Sequence, residues 1–128
     1  MRLLLDTHTL IWTLQDADRL SAAAARALNN PSNERIVSVA SFWEMAVKFS
    51  LGKLRMRQTP ADVFETFERE RLATILPIRS ADIRVLSELP FHHRDPFDRM
   101  LVAQALSDGL TLVSTDEVLD DYGVTRLW

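Results

Sequence analysis

Four short apolar runs, spaced by segments of helical character, constrain the fold of this chain more than any other feature. Leu3-Leu4-Leu5 ends at Asp6, and Arg35-Ile36-Val37-Ser38-Val39 is short and β-branched. Ala73-Thr74-Ile75-Leu76 stops at Pro77, and Leu110-Thr111-Leu112-Val113 runs into Ser114-Thr115-Asp116. Runs this brief and this evenly apolar predict strands covered on both faces. His8–Leu14 is apolar on one side, and Ser21 stands as the cap of Ala22–Leu28, which Asn29-Asn30-Pro31 ends. Ser41-Phe42-Trp43-Glu44 has capping-box spacing and opens a helix toward Ser50, stopped at Gly52. Thr59-Pro60 precedes the helix Ala61–Arg71, Ser80 caps Ala81–Leu89, and Asp95-Pro96 opens a helix that Gly109 ends. Val124–Leu127 is a candidate fifth strand. Strands alternating with helices predict an α/β fold with a parallel sheet buried between helix layers by right-handed crossovers.

At 128 residues, the chain is expected to form one compact unit spanning 1–128. Its 47% apolar and 26% charged content excludes a disordered tail. No apolar run approaches the ~20 residues that a membrane span requires. There is no cysteine, hence no disulfide, thiolate ligand or Cys nucleophile. Met1 to Asp6 reach an acid too soon for a signal peptide, so a cytoplasmic protein is expected. The net charge of −3 does not by itself point to nucleic acid. The distribution is less neutral: Lys48 to Arg57 holds cations and no acid, and arginine far outnumbers lysine, which suits phosphate. For any single one of these cations, a solvated helix face is the better reading.

Ligands of an open parallel sheet bind beyond the carboxyl ends of its strands. Asp6 ends the first strand, Glu44 follows the second within one helical turn, and Asp116 follows the fourth. Asp98 lies in the first turn of the helix leading into that fourth strand and joins them if its helix starts at the same rim. Four converging carboxylates raise one another's pKa unless a divalent cation neutralises them, and oxygen donors of this kind suit Mg²⁺ or Mn²⁺. Such an ion polarises phosphate and generates a nucleophile from water.

Structural readings stand beside each residue. Glu44 fits equally the N3 partner of Ser41, Asp98 favours the helix dipole, and Asp116 caps a final short helix. Asp95 reads best as an N-cap before Pro96. Asp6 is the hardest to explain structurally, because a charge directly after three leucines is costly without a partner. His92 and His93 are candidate metal ligands or general acids, but read more as loop residues touching substrate, for want of a third histidine or thiol at ligand spacing. Thr7 and Ser114 either hold water at the site or satisfy turn backbone. Trp12, Trp43 and Phe42 read as core or dimer-interface packing more than as a base-stacking platform.

The ordered set LLLDTHTLIW (Leu3–Trp12), SVASFWEMAVKFSLGKL (Ser38–Leu54), HHRDPFDRMLVAQAL (His92–Leu106) and LVSTD (Leu112–Asp116) resembles the PIN-domain ribonucleases, and among them the VapC toxins of bacterial type II toxin–antitoxin pairs. The resemblance runs the full length. It implies a three-layer α/β/α fold with a mostly parallel sheet and a Mg²⁺- or Mn²⁺-dependent endoribonuclease. By motif, Asp6, Glu44, Asp98 and Asp116 would be its metal-binding and catalytic acids. It also implies a homodimer or higher assembly, silencing by a small VapB-type antitoxin, and contact with operator DNA only through that antitoxin. RNA would lie against Arg94, Arg99 and the Lys48–Arg57 stretch. Two other acidic-cleft readings fit poorly. A haloacid-dehalogenase-type phosphatase needs Asp-x-Asp where Asp6-Thr7-His8 stands, and a receiver needs a late lysine where the last is Lys53. A non-catalytic module whose acidic rim receives a basic peptide stays open.

Overall fold

The computed structural model describes all residues, Met1–Trp128. β1 (Arg2–Leu5) lies at the centre of a five-stranded sheet with β2 (Glu34–Ser38), β3 (Thr74–Leu76), β4 (Thr111–Val113) and β5 (Thr125–Leu127). The order is β3-β2-β1-β4-β5, and every pairing is parallel. α1 (Thr7–Gln15) and α2 (Ala22–Asn29) cross from β1 to β2. α3 (Val39–Ser50) and α4 (Pro60–Glu70) cross to β3, and α5 (Ser80–Glu88) and α6 (Pro96–Asp108) cross to β4. A 3₁₀ turn, Glu117–Tyr122, leads into β5. The chain thus forms the α/β architecture expected, with helices on both faces of the sheet.

The three leucines of β1 show why the run is apolar throughout. Successive side chains point to opposite faces. Leu3 and Leu5 join a core with Leu10, Phe42, Met45 and Phe67, while Leu4 joins another with Leu101, Val102 and Leu112. None of the three is more than 2% exposed. One strand therefore anchors two cores, and burying each leucine stabilises the fold by about 1.5–3 kcal/mol. α5 is tied to α6 by polar groups. Arg79 Nη2 lies 3.0 Å from both Asp82 Oδ1 and Asp108 Oδ1, and Gln104 Nε2 donates to the Pro77 carbonyl.

Two helix starts differ from the sequence reading. β2 passes into α3 with no loop, and Ser38 is the cap, its Oγ accepting from the Ala40 N–H at 3.0 Å. Ser41 lies inside the helix, so Glu44 is its sixth residue and cannot be the N3 partner of a capping box. At α5, Ser80 is the first helical residue and Arg79 holds the cap position, its N–H donating to Asp82 Oδ2. The aromatic residues also separate. Phe42 is core, whereas Trp43 is 58% exposed.

The strand order reverses between β1 and β4. The crevice beyond their carboxyl ends is where such a sheet places a ligand.

Candidate active site

Asp6 stands at this crevice because β1 ends there and α1 begins. Its Oδ1 caps α1 by accepting from the Thr9 N–H at 2.7 Å, and its own N–H donates to the Val113 carbonyl of β4. The capping bond and the positive end of the helix dipole offset the cost of the buried charge. Thr9 Oγ1 also donates to Val113 O, and Thr7 Oγ1 donates to Ser41 Oγ at 3.1 Å, pinning α1 to β4 and to α3. Glu44 is buried on α3. Lys48, one turn later, donates its Nζ to Oε2, while Glu44 Oε1 is buried with no hydrogen-bond partner.

The other two acids arrive from the far end of the chain. Asp95 is the N-cap of α6, as its place before Pro96 indicates, accepting from the N–H groups of Phe97 and Asp98. This cap fixes Asp98 in the first turn. Asp116 follows β4 and caps the 3₁₀ turn by accepting from the Val118 N–H, while its own N–H donates to Ser114 Oγ at 3.1 Å. The hydroxyls of Thr7 and Ser114 are thus used within the protein, for Ser41 and the Asp116 turn.

His93 joins the two acids. Its Nε2 lies 2.9 Å from Asp116 Oδ2 and 3.4 Å from Asp98 Oδ2. One ligand-type atom from each of the three lies within 4.8 Å of the others. His93 does lie in the loop ahead of α6, and that loop aims it at the two acids, a mixed set with carboxylates that a search for a third histidine or a thiol passes over. The signal lay in His-x-Asp: the Asp95 N–H donates to His93 Nδ1 at 3.0 Å and turns the ring inward. That bond also assigns the tautomer. With Nδ1 accepting there, the ring hydrogen lies on Nε2 and is donated to Asp116 Oδ2, while Asp98 lies within ion-pair distance.

Charge crowding is strongest at Asp98. Burial pushes its carboxyl up to about 7, helped by the charges of Asp95, Glu44 and Asp6, against a smaller opposing effect of His93. Lys48 is pushed up by its bond to Glu44, against burial, with further support from Asp95 and Asp98. Acids from three distant segments therefore feel one another at one rim, and Asp116 joins them through His93. The orphaned Glu44 Oε1 and the unneutralised charge around Asp98 fit a hard divalent cation, for which carboxylate oxygens are the suited donors.

The two arginines expected near the cleft part company. Arg94 is exposed and forms no ion pair. Arg99 is buried. Its guanidinium donates to Pro90 O, Leu89 O and Tyr122 Oη and lies 4.0 Å from the Phe91 ring centroid. It holds the segment ahead of α6 in place, and it is not free to track a nucleic-acid backbone.

A family model described as PIN domain matches residues 3–124. Ribonuclease VapC22 of Mycobacterium tuberculosis is 28% identical over 121 residues, covering 93% of this chain and 90% of the relative. Among solved structures, VapBC2 from Rickettsia felis, bound to a DNA fragment from the promoter, aligns with a TM-score of 0.72 at 13% identity, covering 100% of this chain and 99% of that one. DNA-bound VapBC from Salmonella typhimurium aligns with a TM-score of 0.71 at 18% identity, covering 99% and 97%.

Proposed function

This chain belongs to the PIN-domain family, and from that premise we propose that it is a metal-dependent endoribonuclease, the toxin of a VapBC-type toxin–antitoxin pair. Residues 1–128 act as a single PIN domain. The observation that carries the reading is the convergence of Asp6, Glu44, Asp98 and Asp116 on one rim, close enough that Asp98 feels the charges of Asp6 and Glu44. The ribonuclease name of the Mycobacterium tuberculosis relative supports the activity, and the promoter-bound VapBC complexes support the pairing with a VapB-type antitoxin. Operator DNA is then reached only through that antitoxin, and the toxin acts in the cytoplasm. A homodimer would cover the apolar surface of α3 and α4 around Trp43 and Phe64.

Asp6, Glu44, Asp98 and Asp116 would hold Mg²⁺ or Mn²⁺. When bound, such a cation supplies a Lewis acid for a phosphate oxygen and a nucleophile from water at neutral pH. The protein's own residues prepare that step. α1 and α6 begin at the rim, and their caps fix Asp6 and Asp98. His93 donates to Asp116 and lies 3.4 Å from Asp98. Lys48 orients Glu44 and leaves Oε1 open. Arg94 and the cations from Lys48 to Arg57 meet the RNA backbone, an attraction that weakens with salt.

Cleavage of single-stranded RNA with and without EDTA tests the proposal. Activity is expected with Mg²⁺ or Mn²⁺ and lost with chelator, and Asp6→Asn and Asp98→Asn abolish it while the fold survives. Undiminished cutting in EDTA, or by either variant, overturns the corresponding part.

A further inference from the structure

The acid rim opens on one side into a cleft of about 360 Å³ between α1, α3 and the segment after α3. Glu44 and Lys48 line both the rim and this cleft. Outward from them the walls are His8 and Trp12 on α1, with Arg19 and Lys53 at the mouth. Its volume falls at the lower end of the roughly 300–1,000 Å³ typical of small-ligand sites.

The chemistry of these walls is specific. Trp12 is a half-buried residue of α1, not a core one. Its ring is held by His8 at 5.8 Å and by Trp128 at 5.7 Å, both tilted, with the Arg19 guanidinium carbon 5.6 Å from its centroid. An aromatic side chain fixed from its flanks, at a cleft mouth bearing cations, is the arrangement by which proteins hold unpaired bases, with the π-face taking the base and the cations the phosphates. Lys53 forms no ion pair, and Arg19, which lies over one face of Trp12, pairs only with exposed Asp16 at 3.2 Å, a contact a phosphate can replace. Arg19 and Lys48 are paired to Asp16 and Glu44, which leaves Lys53 as the cation without an acidic partner, placed to meet a phosphate.

We infer that this cleft is a nucleotide subsite of the proposed nuclease, in which the unpaired base next to the scissile phosphate stacks on Trp12 while Lys53 and Arg19 hold the flanking phosphate. The inference rests on the nuclease reading and assigns its sequence or spacing preference to a definite side chain.

The test uses the full chain with Mn²⁺ and a set of single-stranded RNA oligonucleotides, each carrying one abasic position. Wild type is expected to raise its KM when the base beside the cut is absent. Trp12→Leu raises KM for the intact RNA by about tenfold, leaves kcat within about twofold and loses the abasic penalty at that position. Trp12→Phe restores both, a rescue that loss of packing alone would not give. An abasic penalty unchanged in Trp12→Leu overturns the subsite. If wild type cuts none of the oligonucleotides, the nuclease reading fails, and the cleft is tested on its own. Titrating the same RNA into metal-free protein should then quench tryptophan emission in wild type and not in Trp12→Leu. Saturable binding of a basic peptide with no quenching by RNA overturns the subsite.

Discussion

Asp98 prefers its proton near neutral pH in the metal-free protein, and that preference has a sign in stability. Its carboxyl is raised from 3.8 to about 7, so the folded protein binds a proton that the unfolded chain has released. The contribution is fully present below about pH 4 and is lost as pH rises to about 7. Metal-free wild type should therefore become less stable across that window, by on the order of 2–4 kcal/mol. Asp98→Asn, which keeps the shape without the charge, should flatten the slope and melt higher than wild type above pH 7, while losing cleavage. Thermal melts in EDTA from pH 4.5 to 8 read this directly, and an unchanged slope in the variant would remove the charge-crowding account. Adding Mn²⁺ above pH 7 should raise the melting temperature of wild type and not of the variant. Arg99 carries the opposite lesson. Its buried guanidinium satisfies two carbonyls and a phenol, so Arg99→Met should cost about 2 kcal/mol in urea unfolding. Arg94→Gln should leave stability alone and lower the salt slope of RNA binding by about one. Nothing in sequence spacing separates these two arginines, five positions apart, because the difference lies in the start of α6: Arg94 stays in the exposed loop before it and Arg99 falls on its buried side.

Among the elements, the strands were the most legible and the helix starts the least. β1 could be read because a strand buried on both faces must be apolar at every position, which Leu3, Leu4 and Leu5 satisfy. Each leucine serves a definite core, so Leu4→Ala should destabilise by about 3 kcal/mol, measured as a lower urea midpoint with unchanged m. The start of α3 was misread because serine recurs at 38 and 41 and both fit a cap. Tertiary pairing chose between them. Ser38 is paired to Leu76 as the last residue of β2, and the helix begins at the next residue. The same shift places Ser41 against Thr7 and Glu44 inside the helix, facing Lys48. Similarly, Ser80 gave way to Arg79 because Asp82 reaches back to the Arg79 N–H. Burial pushes the Asp82 carboxyl up, but its bonds to Arg79 outweigh that and hold it below the ordinary carboxylate range. Its stabilising contribution is thus present at neutral pH and lost on acidification.

Across the whole molecule, the acids were legible as a set because a parallel sheet turns strand ends into neighbours. Asp6 and Asp116 follow β1 and β4, which are hydrogen-bonded to each other, so a separation of more than a hundred residues in sequence closes at one rim. What covers the remaining surface had no such signature. Trp43 lies on the same helix as Glu44 but on its outer side, 58% exposed and packed edge-on to Phe97 at 4.9 Å. Beside it a shallow apolar depression is lined by Val39, Phe42, Ala46, Pro60, Ala61 and Phe64. An exposed tryptophan bordering a depression with almost no polar lining marks a contact surface more often than a solvated face. A second copy meeting this face would bury it and leave the rim, on the inner side of α3, open to RNA. Trp43→Glu places a charge at the centre of that contact, where it cannot be desolvated cheaply. The variant should therefore run as a monomer in light scattering at concentrations where wild type is dimeric, with its melting temperature lowered and its circular dichroism unchanged. If both proteins have the same mass in solution, this face does not join two copies.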